Sequence, residues 1–87
     1  MTFRADVLRG GVTVLPSATV SLHEAYDPGS RVPHQKGRFD TPWLAATRFN
    51  IGDDCTIVRA SDGKKLAVVV DDIENYAVSF SGSEAFQ

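Results

Sequence analysis

The chain has 87 residues, 43% of them hydrophobic and 23% charged, with a net charge of −2 and a pI near 5.5. This length allows one domain, and the composition is that of a folded globular protein, which excludes a disordered chain. The single cysteine, Cys55, excludes an internal disulfide and offers no partners for a zinc site, so we predict neither a metal nor a cofactor. The net negative charge excludes a protein that coats nucleic acid generically, and any nucleic-acid contact must therefore be local.

Location and oligomeric state are constrained by the same simple features. No apolar run approaches the ~18 residues needed to span a bilayer, and charged residues interrupt the first 15 positions, unlike in a secretory signal. We therefore expect a cytoplasmic protein without a membrane partner. Because so short a chain buries only a modest fraction of its surface, we also expect a homodimer.

The first third of the chain predicts two short strands, at residues 12–15 and 19–23, rich in β-branched residues and separated by Pro16 and Ser17. Four turn-forming residues follow at 27–30 and predict a loop. The loop leaves through an extended segment that ends at Pro33, because the residues before a proline avoid helical angles.

The second half predicts a short helix and three strands. Thr41 suits an N-cap and Pro42 a first helical position, so residues 43–47 are expected to be helical. Residues 55–60 and 65–70 form two strands around Asp62-Gly63, a strong hairpin signal. An acidic turn at 71–75, a strand at 76–80 and a frayed tail complete the prediction.

The order of these elements also has a family resemblance. The matching residues are Thr19-Val20-Ser21, Tyr26-Asp27, Arg31-Val32-Pro33, the pattern Trp43-Leu44-x-x-x-x-Phe49-x-x-Gly52, and the hairpin that ends over 66–70. In this order and spacing the chain resembles the SymE toxin family. The resemblance implies a mainly β fold: a small AbrB-like swapped-hairpin β-barrel with one short helix, formed by two chains that exchange hairpins. It would divide the chain into an N-terminal extension with a short strand (1–18), the β domain (19–80) and a tail (81–87).

The resemblance also implies a function. A SymE-like toxin belongs to a type I toxin–antitoxin system, in which an antisense RNA represses its synthesis, and it acts on RNA as an endoribonuclease. Much of the wider superfamily binds DNA, so the competing hypothesis is a non-catalytic AbrB-like DNA-binding regulator. A module that binds a protein partner through its acidic region is a further alternative.

Charge is distributed unevenly and suggests where nucleic acid would bind. Between residues 31 and 48 the only acidic residue is Asp40, whereas no basic residue follows Lys65. We predict a phosphate-contacting surface formed by Arg31, Lys36, Arg38 and Arg48, with Tyr26 available to stack on a base. His34 lies within this segment and is the candidate for a catalytic group. The alternative for all of them is a solvated basic face.

Overall fold

A computed structural model describes residues 1–25, 34–82 and 86–87, and of Glu24, Ala25 and His34 it describes the backbone alone. Six antiparallel strands close into a barrel in the order β1-β2-β3-β6-β5-β4. The predicted mainly β barrel is thereby confirmed. The strands are β1 (Thr2–Arg9), β2 (Val12–Ala25), β3 (His34–Asp40), β4 (Asp54–Arg59), β5 (Lys65–Glu74) and β6 (Ala77–Gly82).

The barrel closes within one chain. Its first strand pairs with β2 on one side and with β4 on the other, where Ala5 lies opposite Arg59 and Leu8 opposite Thr56. Each strand has two neighbours from the same chain, so no exchanged hairpin is needed to close the barrel. The homodimer stays a prediction. Residues 1–18 contribute β1 and the first half of β2 to the wall of this barrel.

Apolar side chains from alternate strand positions fill the interior, as the period of two in a β-strand requires. Gly37 of β3 has a specific place in this packing. A Cβ atom on Gly37 would lie 2.3 Å from the carbonyl oxygen of Ser21 and 2.8 Å from Cζ of Phe80. The strand therefore carries a glycine where the Phe80 ring crosses it. The largest fully buried side chains are Phe39, Phe49, Phe80, Ile57, Leu66, Val7, Val20, Val70 and Val78.

The two strands predicted at 12–15 and 19–23 are one long strand, β2, with an irregularity at Pro16 and Ser17. The pairing with β1 passes from Ala5–Ala18 to Val7–Leu15, so Pro16 and Ser17 bulge out of the register. Ser17 has a φ of 51° and donates its N–H to the Asp6 carboxylate over 2.9 Å. The prediction of a break was wrong because a bulge accommodates the missing N–H of proline without ending the strand.

The connection between β3 and β4 crosses one end of the barrel, because these two strands lie on opposite sides of it. Its predicted helix is a single 3₁₀ turn at Ala45–Thr47. Thr41 does not cap a helix: its hydroxyl donates to the carbonyl of Trp43, and its N–H donates to the carbonyl of Tyr76. The start of the connection is thus tied to the β5–β6 turn, which leaves room for one turn only.

The hairpin around Asp62-Gly63 is confirmed, with Val58 opposite Lys65 and Cys55 opposite Val68. The predicted acidic turn at 71–75 is wrong, because β5 continues to Glu74 and pairs there with β6.

The polar segment that opens β3 also forms a strand, held by β2 and β6 on its two sides. In the tail, Phe86 packs against Phe3 with ring centroids 5.6 Å apart, and the backbone of Gln87 exchanges two hydrogen bonds with Lys65.

Across the described residues, no helix is both long and apolar enough to cross a membrane.

Candidate nucleic-acid interface

The end of the barrel where β2 and β4 finish and β5 begins holds an open cavity of about 420 Å³. We call this cavity the basic mouth. It is lined by Met1, Leu22, His23, Gln35, Arg59, Lys64 and Phe86. These side chains come from elements that are distant in sequence. They meet because the strands are antiparallel, so every second connection along the chain lies at the same end of the barrel.

Arg59 is a structural cation of the basic mouth. It makes two hydrogen bonds to the Asp62 carboxylate, at 3.0 and 2.6 Å, and its guanidinium lies 4.4 Å from the centre of the Phe86 ring. The hydrogen bonds from Arg59 and from the Lys64 N–H lower the pKa of Asp62 to about 2, and the same ion pair raises the pKa of Arg59. Asp62 thus neutralises Arg59, which holds Phe86 in place.

Lys64 and Lys36 have no ion pair within the described residues. Lys64 lies in the turn between β4 and β5 and lines the basic mouth. Lys36 is exposed on β3, directly opposite His23 of β2 and Ser81 of β6. The charge of Lys64 is therefore available to an anionic ligand, whereas Lys36 shares a neighbouring pocket with the carboxylates of Asp71 and Asp72.

Arg38 projects from the same outer face of β3, two residues beyond Lys36. It lies opposite Ser21 and Ser79, so three neighbouring strands present polar side chains in register. The Asp40 carboxylate is 3.7 Å from its guanidinium. Part of the Arg38 charge is therefore compensated within the chain, although the pair is exposed and weak.

Arg48 lies at the opposite end of the barrel from the basic mouth. Its guanidinium stacks 4.9 Å from the centre of the Trp43 ring, and its carbonyl accepts a hydrogen bond from Arg9. Of the predicted surface, the structure brings Lys36 and Arg38 together and leaves Arg48 apart from them. Tyr26 and Arg31 lie outside the described residues, as does the side chain of His34.

Carboxylates gather at the same end as Arg48, which we call the acidic end. It consists of Asp40, Asp53, Asp54 and Glu74, at the ends of β3 and β5 and around the start of β4. Asp53 is paired with Arg9 at 3.1 Å. The two ends of the barrel therefore differ in the sign of their uncompensated charge, which orients the molecule toward an anion at the basic mouth.

Cys55 is buried and is not part of either charged end. Burial raises the pKa of its thiol, and the charges of Asp53 and Asp54 raise it further, against a smaller opposing effect of Arg9. The positions of Asp53 and Asp54 in the sequence already predict that the pKa of the Cys55 thiol is raised. No group of three or more potential metal-ligating side chains forms among the residues that the structure describes.

His23 and Lys64 were missing from the predicted site. A signal for each was present: Thr19, Ser21 and His23 alternate along a predicted strand, and the Asp62-Gly63 turn must place Lys64 at a barrel end. The sequence did not show which other elements share that end, because this depends on strand order.

The comparisons gave no further guide: no family model matched the chain, and neither the curated proteins nor the solved structures yielded a match.

Proposed function

We propose that this protein binds single-stranded RNA across the basic mouth and the adjoining outer face of β3. The observation that carries this proposal is the position of Lys64, a cation without an ion pair in the described chain, in the lining of the basic mouth. Lys36 adds a second cation directly opposite His23, which lines the same cavity. Phosphates bind such ammonium groups, and the binding releases counterions from the nucleic acid. The carboxylates of the acidic end keep the strand away from the opposite end.

A single strand suits the basic mouth better than a duplex does. The cavity is concave and carries a partly exposed aromatic ring, Phe86, next to polar side chains from His23 and Gln35. Unpaired bases can enter such a cavity, stack on aromatic rings and form hydrogen bonds along their edges. The choice of RNA over DNA rests on the resemblance to SymE toxins.

RNA cleavage is the catalytic form of this proposal, as expected for a SymE-like toxin. His23 lies directly opposite Lys36, so an imidazole and a phosphate-binding cation are cross-strand neighbours. His34, the catalytic candidate from the sequence, opens β3 and pairs with Ala25. In this step one of the two histidines removes the proton of a ribose 2′-hydroxyl, whose oxygen attacks the phosphorus. The bond from phosphorus to the 5′-oxygen of the next nucleotide breaks, and that oxygen takes up a proton, while Lys36 stabilises the charge on the phosphate.

A salt titration of binding tests the proposal. Fluorescence anisotropy would follow a labelled RNA oligonucleotide and a duplex DNA of the same sequence with the wild type and with the double variant Lys36→Ala/Lys64→Ala. Loss of two phosphate contacts should reduce the slope of log K against log salt by about 1.4 for a single strand. The control is Arg48→Ala, which removes a cation at the opposite end of the barrel and should leave most of the binding.

Each outcome has a distinct meaning. A larger loss in the control than in the Lys36→Ala/Lys64→Ala variant would move the interface to the surface predicted from the sequence. Equal binding of duplex DNA would favour the AbrB-like DNA-binding alternative, and absence of binding to both would reject a nucleic-acid function.

Cleavage is tested separately, by electrophoresis of end-labelled RNA after incubation with the wild type, His23→Ala or His34→Ala. A toxin of the SymE type should cut the RNA, and one of the two variants should lose at least about a hundredfold in rate, as expected for a general acid or base. RNA that is bound and remains intact would reject the catalytic form and leave a binding protein.

A further inference from the structure

The turn between β4 and β5 contains an aspartate followed by a glycine, Asp62-Gly63. This dipeptide is prone to rearrange in unfolded peptides, because glycine has no side chain to hinder attack of its backbone nitrogen on the aspartate side chain. The chain contains Asp-Gly once and has no Asn-Gly, a dipeptide that reacts in the same way. The reactive linkage therefore lies at one defined position, next to Lys64 of the basic mouth.

The rearrangement has two steps. In the first, the Gly63 nitrogen loses its proton and bonds to Cγ of Asp62, while one carboxyl oxygen leaves as water, which gives a five-membered cyclic imide. In the second, water adds to the main-chain carbonyl carbon of the ring, and the bond from that carbon to nitrogen breaks. The product, isoaspartate, has a main chain that runs through Cβ and Cγ and so contains one extra methylene group. One water leaves and one is added, so the mass of the protein does not change.

The group that is attacked, the Asp62 carboxylate, is held by three hydrogen bonds. Arg59 donates to it from Nε over 3.0 Å and from Nη2 over 2.6 Å, and the Lys64 N–H donates over 3.1 Å. The hydrogen bonds from Arg59, followed by that from Lys64, lower the pKa of Asp62 to about 2. Since the oxygen leaves as water only from the protonated carboxyl group, the held carboxylate is a poor electrophile at neutral pH.

The attacking group, the Gly63 nitrogen, is held as well. Its N–H donates to the carbonyl oxygen of Arg59 over 2.8 Å, and the N–H of Arg59 donates to the carbonyl of Lys64 over 2.8 Å. Gly63 has a φ of 72°, a conformation that favours glycine, so the turn needs the residue that makes the linkage reactive. Attack on Asp62 would break the hydrogen bond from Gly63. Arg59 therefore holds both reacting groups, one through its side chain and the other through its backbone.

We propose that Asp62-Gly63 is a latent site of isoaspartate formation, which Arg59 keeps unreactive in the folded protein. Conversion would lengthen the main chain beside Lys64 and break the ion pair with Arg59, whose guanidinium lies 4.4 Å from the centre of the Phe86 ring. The wall of the basic mouth would change with it. The proposal concerns the turn alone and does not depend on whether the protein binds RNA.

The first test compares the folded wild type with the same protein unfolded in urea, both incubated at neutral pH. Isoaspartate at residue 62 is measured over time by peptide mapping with electron-transfer fragmentation, which distinguishes it from aspartate at equal mass. Folded protein should form it at least about tenfold more slowly, because a pKa of about 2 in place of 3.8 makes the protonated carboxyl group more than tenfold rarer. Equal rates in the two states would overturn the proposal.

The second test assigns the protection to Arg59. Arg59→Met keeps an unbranched side chain but removes both hydrogen bonds to Asp62, and it should accelerate the reaction in folded protein about tenfold, as expected when a pKa rises by one. The matched control is Arg48→Met, at the opposite end of the barrel, which should react as the wild type does. The free energy of unfolding of each variant gives its unfolded fraction, so that the contribution of unfolded molecules can be subtracted. A corrected rate for Arg59→Met equal to that of Arg48→Met would show that Arg59 does not protect the linkage.

Discussion

Gly37 shows how one residue determines the packing of the barrel. It lies between Lys36 and Arg38, which project outward, so its own position faces the interior. There the Phe80 ring fills the space that any side chain would need, and Phe80 in turn stacks on Phe39 with ring centroids 6.0 Å apart. The absence of a side chain at this position is what lets the two phenylalanines share the centre of the core.

We expect Gly37→Ala to lower the free energy of unfolding by about 2 kcal/mol, because overpacking a filled core forces side chains and backbone to shift. Chemical denaturation of the variant and the wild type would measure the difference. Lys36→Ala, one residue away on the exposed face, should change stability by no more than about 0.5 kcal/mol. An alanine variant as stable as the wild type would mean that both the Phe80 ring and the β2 backbone at Ser21 can move aside.

At this scale the sequence predicted the types of side chain better than their grouping. The alternation of Thr19, Ser21 and His23 places them on one face, and the structure bears this out, with all three exposed. The grouping of His23 with Lys64 could not be predicted, since the two residues are 41 positions apart and meet only through strand order. Local patterns fix the direction of a side chain, whereas its neighbours depend on topology.

The crossing connection between β3 and β4 is the element that closes the acidic end of the barrel. Phe49 is its anchor: its ring contacts Phe39 and Trp43, with centroids 5.5 and 5.9 Å away, and the Arg9 guanidinium lies 5.7 Å from it. Arg9 also pairs with Asp53, so one side chain joins the end of β1 to the end of the connection. The connection therefore behaves as part of the core despite having one turn of regular structure.

We expect Phe49→Ala to cost about 3–5 kcal/mol of stability, the range found when a buried phenylalanine is truncated. Thermal or denaturant unfolding would measure it. Ile51→Ala in the same connection is the control, because 67% of Ile51 is exposed and its truncation should be nearly neutral. Equal effects of the two substitutions would show that the connection is not anchored through its aromatic ring.

Elements with a strong local sequence signal were predicted well. The structure of the other elements depends on the strands that pair with them. The hairpin around Asp62-Gly63 was predicted correctly because Asp-Gly strongly favours the tight turn of a β-hairpin. The opening of β3, by contrast, is polar on every described outward position and lacks β-branched residues, yet it is a strand because β2 and β6 supply hydrogen bonds on both sides. Tertiary pairing of this kind overrides local propensity.

For the whole molecule, closure of the barrel within one chain and the separation of charge along its axis are the two properties that no local pattern revealed. Both follow from the strand order β1-β2-β3-β6-β5-β4, which sends the β3–β4 connection across one end and leaves the other end open as the basic mouth. The total charge of −2 hides this separation, since Lys64 lies at the basic mouth without an ion pair in the described chain, whereas Asp54 and Glu74 lie at the other end. The average charge was therefore a poor guide to a local anion site.

Closure within one chain also makes a prediction about folding. A barrel built from exchanged hairpins exists only as a dimer, so its thermal midpoint rises with protein concentration by mass action. Here β4 pairs with β1 of the same chain, and every strand has both neighbours without a second copy. We therefore expect the midpoint to stay constant over about a hundredfold range of concentration. Calorimetry across that range, with sedimentation at its two limits, measures both quantities. A midpoint that climbs with concentration, together with a dimeric mass, would mean that unfolding is coupled to dissociation of a dimer and would contradict a barrel that is stable as one chain.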